Sequence, residues 1–304
     1  MKYAVIGTGA IGGYYGGRLA HNAKEVHFLL RSDYTQVRDN GMRIDSVNGG
    51  FTLEHPNIYN DPTQMPKADV VLVCLKTTAI DALPRLVTPL LKEDTIVVLI
   101  VNGIGVEEDV QRMLPAGTQL VAGMAFICST KIAPGHISHQ DYGPLSLASY
   151  SCRDMDRLNE VIADFNASDV PTALVDYKEA RWKKAIWNMP FNGLTVVMGA
   201  DTHQLLGSDK MRAQVIALME EVVDAARADG VTTLDHSHID TMIELTDNMT
   251  PYAPSTKVDY DHHRTMELYY LYTRPIEIAR TSGAPMHKME LLEAQLYMRQ
   301  ELNK

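Results

Sequence analysis

Short apolar runs punctuate the first half of the chain. Residues 2–6, 25–30, 69–75 and 95–101 are stretches rich in Val, Ile, Leu and Ala that close on polar or turn residues. Runs of this length without alternation suit strands covered on both faces, as in a parallel sheet. Residues 11–22, between the first two, read as one short helix, so the chain opens on a strand–helix–strand unit of about 30 residues. Further β-like runs at 119–128 and 144–149 flank residues 132–135, where Pro134-Gly135 marks a turn.

The texture changes near residue 176. Residues 178–198, 210–229, 236–248, 261–282 and 286–301 carry apolar side chains at three- and four-residue spacing, the period of helices with one buried face. Gly230 and Gly283 follow two of these stretches, where helix C-caps favour glycine. The pattern predicts an α/β domain over 1–176 and an all-helical domain over 177–304.

Composition narrows the chemistry. A length of 304 residues fits two domains. With 28 Lys+Arg against 38 Asp+Glu the net charge is −10, so no global positive field draws the chain to nucleic acid or anionic lipid. An anionic substrate would need a local cluster of cations. Cys74, Cys128 and Cys152 are scattered and read as reduced thiols, with neither disulfide nor zinc spacing. His236 with His238, and His262 with His263, have no carboxylate at metal-ligand spacing, so no metal is expected. The longest apolar runs, Val70–Leu75 and Ile96–Val101, fall far short of the roughly 20 residues a membrane helix needs. Tyr3–Ile6 is too short for the apolar core of a signal peptide, and a cytoplasmic location is expected.

Two motifs carry candidate chemistry. Gly7-Thr8-Gly9-Ala10-Ile11-Gly12 fits GxGxxG directly after the first strand and opens the first helix. In that context Gly7 permits the tight turn, Gly9 lets the backbone approach a pyrophosphate, and Gly12 allows close helix–strand packing. This makes the α/β domain a Rossmann-type dinucleotide-binding domain. The second strand ends at Arg31-Ser32, where NAD-preferring domains place Asp or Glu for the ribose diol. A guanidinium there suits a 2′-phosphate, so NADP is expected over NAD. The second motif is Lys184, Asn188 and Asn192, at i, i+4 and i+8, which puts an ammonium and two amides on one helix face. Reduction of a ketone needs a proton for the nascent alkoxide and electrostatic stabilisation there, and a desolvated lysine supplies both.

The glycine loop, Arg31, Leu75-Lys76, Val101-Asn102-Gly103, Trp182-Lys183-Lys184, Asn188, Asn192, Ser255 and Glu267 together form an ordered set along the chain. In this set the sequence resembles the ketopantoate reductase (2-dehydropantoate 2-reductase) family over essentially its whole length. The resemblance implies an N-terminal Rossmann domain holding NADPH, a helical C-terminal domain completing a cleft, and reduction of 2-dehydropantoate to pantoate in pantothenate biosynthesis. It implies Lys184 as general acid. Asn102 would contact both the nicotinamide side and the substrate, Lys76 the adenosine end, and Ser129 the cofactor near the nicotinamide. Ser255 would hold the substrate carboxylate, Asn188 and Asn192 its distal oxygens, and Glu267 would orient cofactor or substrate. A second copy of the chain, in a homodimer, is the expected macromolecular partner.

The chain departs from the family's usual pattern in Pro254-Ser255-Thr256-Lys257-Val258-Asp259 and Met266-Glu267-Leu268-Tyr269. Pro190 inside the Lys184–Asn192 helix should kink it and turn Asn192 relative to Lys184. Two alternatives therefore stay open: an NADP-dependent reductase of another small keto acid, and a dinucleotide-binding sensor without turnover.

Overall fold

The structure, a computed structural model, describes residues 1–303. The chain divides into two compact units, residues 1–101 with 107–177, and residues 102–106 with 178–304. Each has its own apolar core. Val5, Phe28, Leu72, Val98 and Leu147 belong to the first, and Trp182, Met189, Val222, Tyr272 and Leu296 to the second.

The first unit carries β1 (Lys2–Ile6), α1 (Ala10–His21), β2 (Glu25–Leu29), α2 (Tyr34–Asn40), β3 (Met42–Ser46), β4 (Phe51–Leu53), β5 (Asn57–Tyr59), β6 (Val70–Val73), α3 (Leu83–Val87), β7 (Ile96–Ile100), α4 (Val106–Met113), β8 (Gln119–Ala133), β9 (His136–Ser149), α5 (Met155–Asn166) and β10 (Thr172–Leu174). One mixed sheet runs β4-β3-β9-β8-β7-β6-β1-β2-β5, with β10 beside β9. The expected apolar runs became its parallel centre: β1 pairs with β2 and β6, and β7 with β6 and β8. The turn at Pro134-Gly135 joins β8 and β9, an antiparallel pair longer than the apolar runs that announced it. Helix α1 lies close on the sheet because glycines face it; a Cβ at Gly16 would sit 2.7 Å from a Val5 methyl.

The second unit carries α6 (Tyr177–Met198), α7 (Thr202–Leu206), α8 (Asp209–Ala228), α9 (Ser237–Asn248), α10 (Ser255–Asp261), α11 (Arg274–Thr281) and α12 (His287–Leu302). Among the described residues no helix is long and apolar enough to cross a membrane.

Two expectations need correction. The helix expected over 261–282 is broken: Arg264 N–H closes onto Asp259 O, His263 takes φ +52°, and helix resumes only as a π turn over Tyr269–Thr273 running into α11. Helix α6 continues past Pro190 as one element, Tyr177–Met198. The carbonyls just before the proline gain side-chain donors, the Tyr272 hydroxyl on Met189 O (2.8 Å) and Asn192 Nδ2 on Asn188 O (2.9 Å). A single boundary at residue 176 also misses the loop 102–106, which packs with the helical unit. Gly103 takes φ +104° and lies so close to the π turn that a Cβ there would come within 2.5 Å of Tyr270 Cβ. The Ile104 N–H donates to Tyr270 O at 3.0 Å.

Candidate active site

In the Rossmann-type unit the register sets Ile6 beside Leu29 and Val73, so the segments that follow β1, β2 and β6 leave from one carboxyl edge of the sheet. Parallel sheets bind ligands at that edge. The glycine loop, Arg31 and Lys76 all belong to those segments, and both cationic residues are exposed. Gly7 takes φ +94°, and a Cβ on it would lie 2.7 Å from the backbone after β6. The Thr8 hydroxyl donates to Leu29 O at 2.9 Å and ties the loop to β2. Gly9 begins α1 in extended conformation; the helix has no side-chain cap and no acidic residue in its first turn, formed by Ala10 and Ile11. A Cβ at Gly9 would meet no atom of the chain within 4 Å, whereas one at Gly12 would strike Gly7 O at 2.4 Å. An uncapped N-terminus reached over a bare Gly9 fits the pyrophosphate of a dinucleotide. Ser129, on β8, has a buried Oγ with no hydrogen-bond partner among the described residues.

In the helical unit the chemistry gathers on α6. A partly open recess of about 250 Å³, mouth included, is lined by Lys184, Asn188 and Arg181 from α6, Gly103 and Ile104 from the loop, and Tyr270 from the π turn, with apolar neighbours. Arg181 and Lys184 lie one turn apart, and Asn188 one turn further on, so one face presents all three. The helix is held firmly around them: Trp182 Nε1 donates to Asp229 at 2.9 Å and Trp187 Nε1 to the Thr246 hydroxyl at 2.9 Å. Burial pulls the Lys184 ammonium down to about 7, the Arg181 guanidinium pushes the same way, and the Glu267 carboxylate pushes back. A lysine poised near neutrality can give up and regain a proton under physiological conditions.

The expected residues therefore separate. Lys184 and Asn188 share the recess, and Asn102 leads the loop that forms its wall, without lining it. Glu267 is buried and reaches Lys184 through its charge. Asn192, only 2% exposed, does not line the recess. Its Oδ1 accepts the Thr256 N–H at 3.0 Å and stands 3.5 Å from the Ser255 hydroxyl, so it anchors the start of α10. The i+8 spacing placed Asn192 on the right face but one turn too deep to reach the recess. Arg181 was not anticipated, and Tyr270 was expected only as one of several tyrosines of the core, an interface or a pocket wall. A cation three residues before Lys184 was the available signal for Arg181; for Tyr270 the tyrosine-rich stretch 260–272 was the signal, and which of its rings reaches the recess depends on the break after α10.

A glycine-loop Rossmann-type unit, followed by a helical unit with a near-neutral lysine among amide and guanidinium groups, defines a nicotinamide-dependent reductase of carbonyl compounds. The chain belongs to the ketopantoate reductase PanE/ApbA family: residues 3–151 match that family and residues 176–300 its C-terminal part. A 2-dehydropantoate 2-reductase from Nostoc sp. is 41% identical over 97% of this chain and 94% of its own. The crystal structure of 2-dehydropantoate 2-reductase from Geobacter metallireducens is 35% identical, covers 98% of this chain and 99% of its own, and superposes with a TM-score of 0.95. Two further solved structures share the fold alone. One is a ternary complex of D-mandelate dehydrogenase with NADH and anilino(oxo)acetate (19% identity, 100% of this chain and 99% of its own, TM-score 0.91). The other is a dimeric ketopantoate reductase from Staphylococcus aureus (18% identity, all of both chains, TM-score 0.83).

Proposed function

We propose that this protein reduces 2-dehydropantoate to pantoate with NADPH, and that Lys184 protonates the developing alkoxide. The observation that carries the reading is the recess itself, where the Lys184 ammonium is held near neutrality beside Arg181 and Asn188. Gly7 to Gly12 would cradle the pyrophosphate, Arg31 the 2′-phosphate, Lys76 the adenosine end, and Ser129 and Asn102 the nicotinamide side. When bound, NADPH supplies the hydride. Asn188 and Arg181 orient the keto acid through its oxygens, and Ser255 takes its carboxylate. Asn192 acts through its hold on Ser255 and Thr256. Glu267, opposing the desolvation of Lys184, keeps a protonated fraction available at neutral pH. Cys74, Cys128 and Cys152 form no disulfide, which suits the reducing cytoplasm, and a homodimer is the assembly we assign.

The test is the loss of NADPH absorbance with 2-dehydropantoate, repeated with NADH and with a panel of other small 2-keto and 3-keto acids. Turnover fastest with 2-dehydropantoate and NADPH is expected. The unusual surroundings of Ser255 and Glu267 favour one second reading, a different small keto acid, and faster turnover of a panel member would establish it. NADPH binding without turnover on any acid would overturn catalysis altogether.

A further inference from the structure

The segment after β2 holds a carboxylate that the cofactor reading does not use. Asp33 stands two residues after Arg31 and is only 4% exposed. It accepts Lys131 Nζ on both oxygens at 2.9 Å, the Gly135 N–H at 3.0 Å and the Ser32 hydroxyl at 2.9 Å. Lys131 and Gly135 come from the β8–β9 hairpin, 98 and 102 residues away in the chain. Burial alone would raise the Asp33 carboxyl, but the bonds from Lys131, Gly135 and Ser32 outweigh it and hold the group below its usual range, ionised.

In NAD-preferring Rossmann domains an acid at the end of the second strand takes the ribose diol and repels a 2′-phosphate; Asp33 lies two residues beyond that position. Here its oxygens are turned to the hairpin. Two residues of chain span at most about 7 Å, so an unneutralised Asp33 would lie within electrostatic reach of anything bound at Arg31. We propose that Lys131 is a specificity-determining residue: by neutralising Asp33 it makes the β2–α2 segment net positive and selects the phosphorylated dinucleotide. The inference rests on Arg31 serving the 2′-phosphate, as proposed above.

The test is the ratio of kcat/KM for NADPH to that for NADH in the full-length protein. Lys131→Met should lower the ratio by about tenfold, the size expected for one charge at this separation, mainly through KM for NADPH. Lys131→Arg should keep it, and Asp33→Asn in the Lys131→Met background should restore it. Should Lys131→Met fail to fold, Asp33→Asn alone decides: the freed lysine should raise the ratio. An unchanged ratio in Lys131→Met would overturn the inference, a lowered melting temperature then marking the pair as a structural clamp only, and a lower ratio in Asp33→Asn would overturn it too. A wild-type protein that prefers NADH would instead overturn the reading of Arg31 itself, and the two failures are told apart by that first measurement.

Discussion

The two units present different chemistry at their candidate sites. At the carboxyl edge of the Rossmann-type sheet the features are backbone ones: bare glycines, a positive φ at Gly7 and an uncapped helix start. In the helical unit they are side chains on α6, where an ammonium, a guanidinium and an amide line one recess. A backbone site is damaged by adding a methyl group. A side-chain site is damaged by removing a charge, and it should tolerate changes of shape nearby.

The strongest way to break that contrast is at Lys184. Lys184→Ala should lower kcat by about 10²–10⁴-fold, the usual range for a lost general acid, while NADPH affinity measured by fluorescence titration stays within a few-fold. Near-normal turnover would take the proton donor away from α6. The glycine loop sharpens the contrast from the other side. Gly12→Ala puts a Cβ 2.4 Å from Gly7 O and should destabilise the protein by about 1–3 kcal/mol in denaturant unfolding, with weakened NADPH binding. Gly9→Ala meets no neighbour, so its stability should hold while NADPH affinity falls. Equal losses of stability in the two variants would remove the distinction between a packing glycine and a ligand-facing one. The smallest effect is expected at Asn192. Asn192→Ala strands the N–H of Thr256, should cost about 1–3 kcal/mol of stability, and should raise KM for the keto acid more than it lowers kcat. A large fall in kcat with unchanged KM would place Asn192 at the reacting atoms instead.

The same contrast explains what could be read from the sequence. The glycine loop was legible because its chemistry tolerates one residue type at fixed positions, and the strand before it and helix after it are local. Lys184 and Asn188 were legible because helical spacing converts directly into a shared face. Asn192 obeys the same spacing, but its depth depends on where α10 begins, and nothing local marks that. The apolar period across 261–282 continues through the break at His263 and the π turn, so periodicity alone read one helix where two segments form. The loop 102–106 was assigned by its neighbours in the chain, whereas Gly103 and Ile104 are held by Tyr270, far along the sequence. Lys131 was invisible for the same reason: only the closed hairpin brings it to Asp33.

The most direct test of the account is the pH dependence of kcat/KM for 2-dehydropantoate, which reports the free enzyme's essential acid. Lys184 must carry its proton to deliver it, and burial brings its pKa to about 7. The rate should therefore be full below that value and fall tenfold per pH unit above it, with the break absent in Lys184→Ala. A profile flat to pH 9 or beyond, or one whose break survives in Lys184→Ala, would contradict Lys184 as a desolvated general acid.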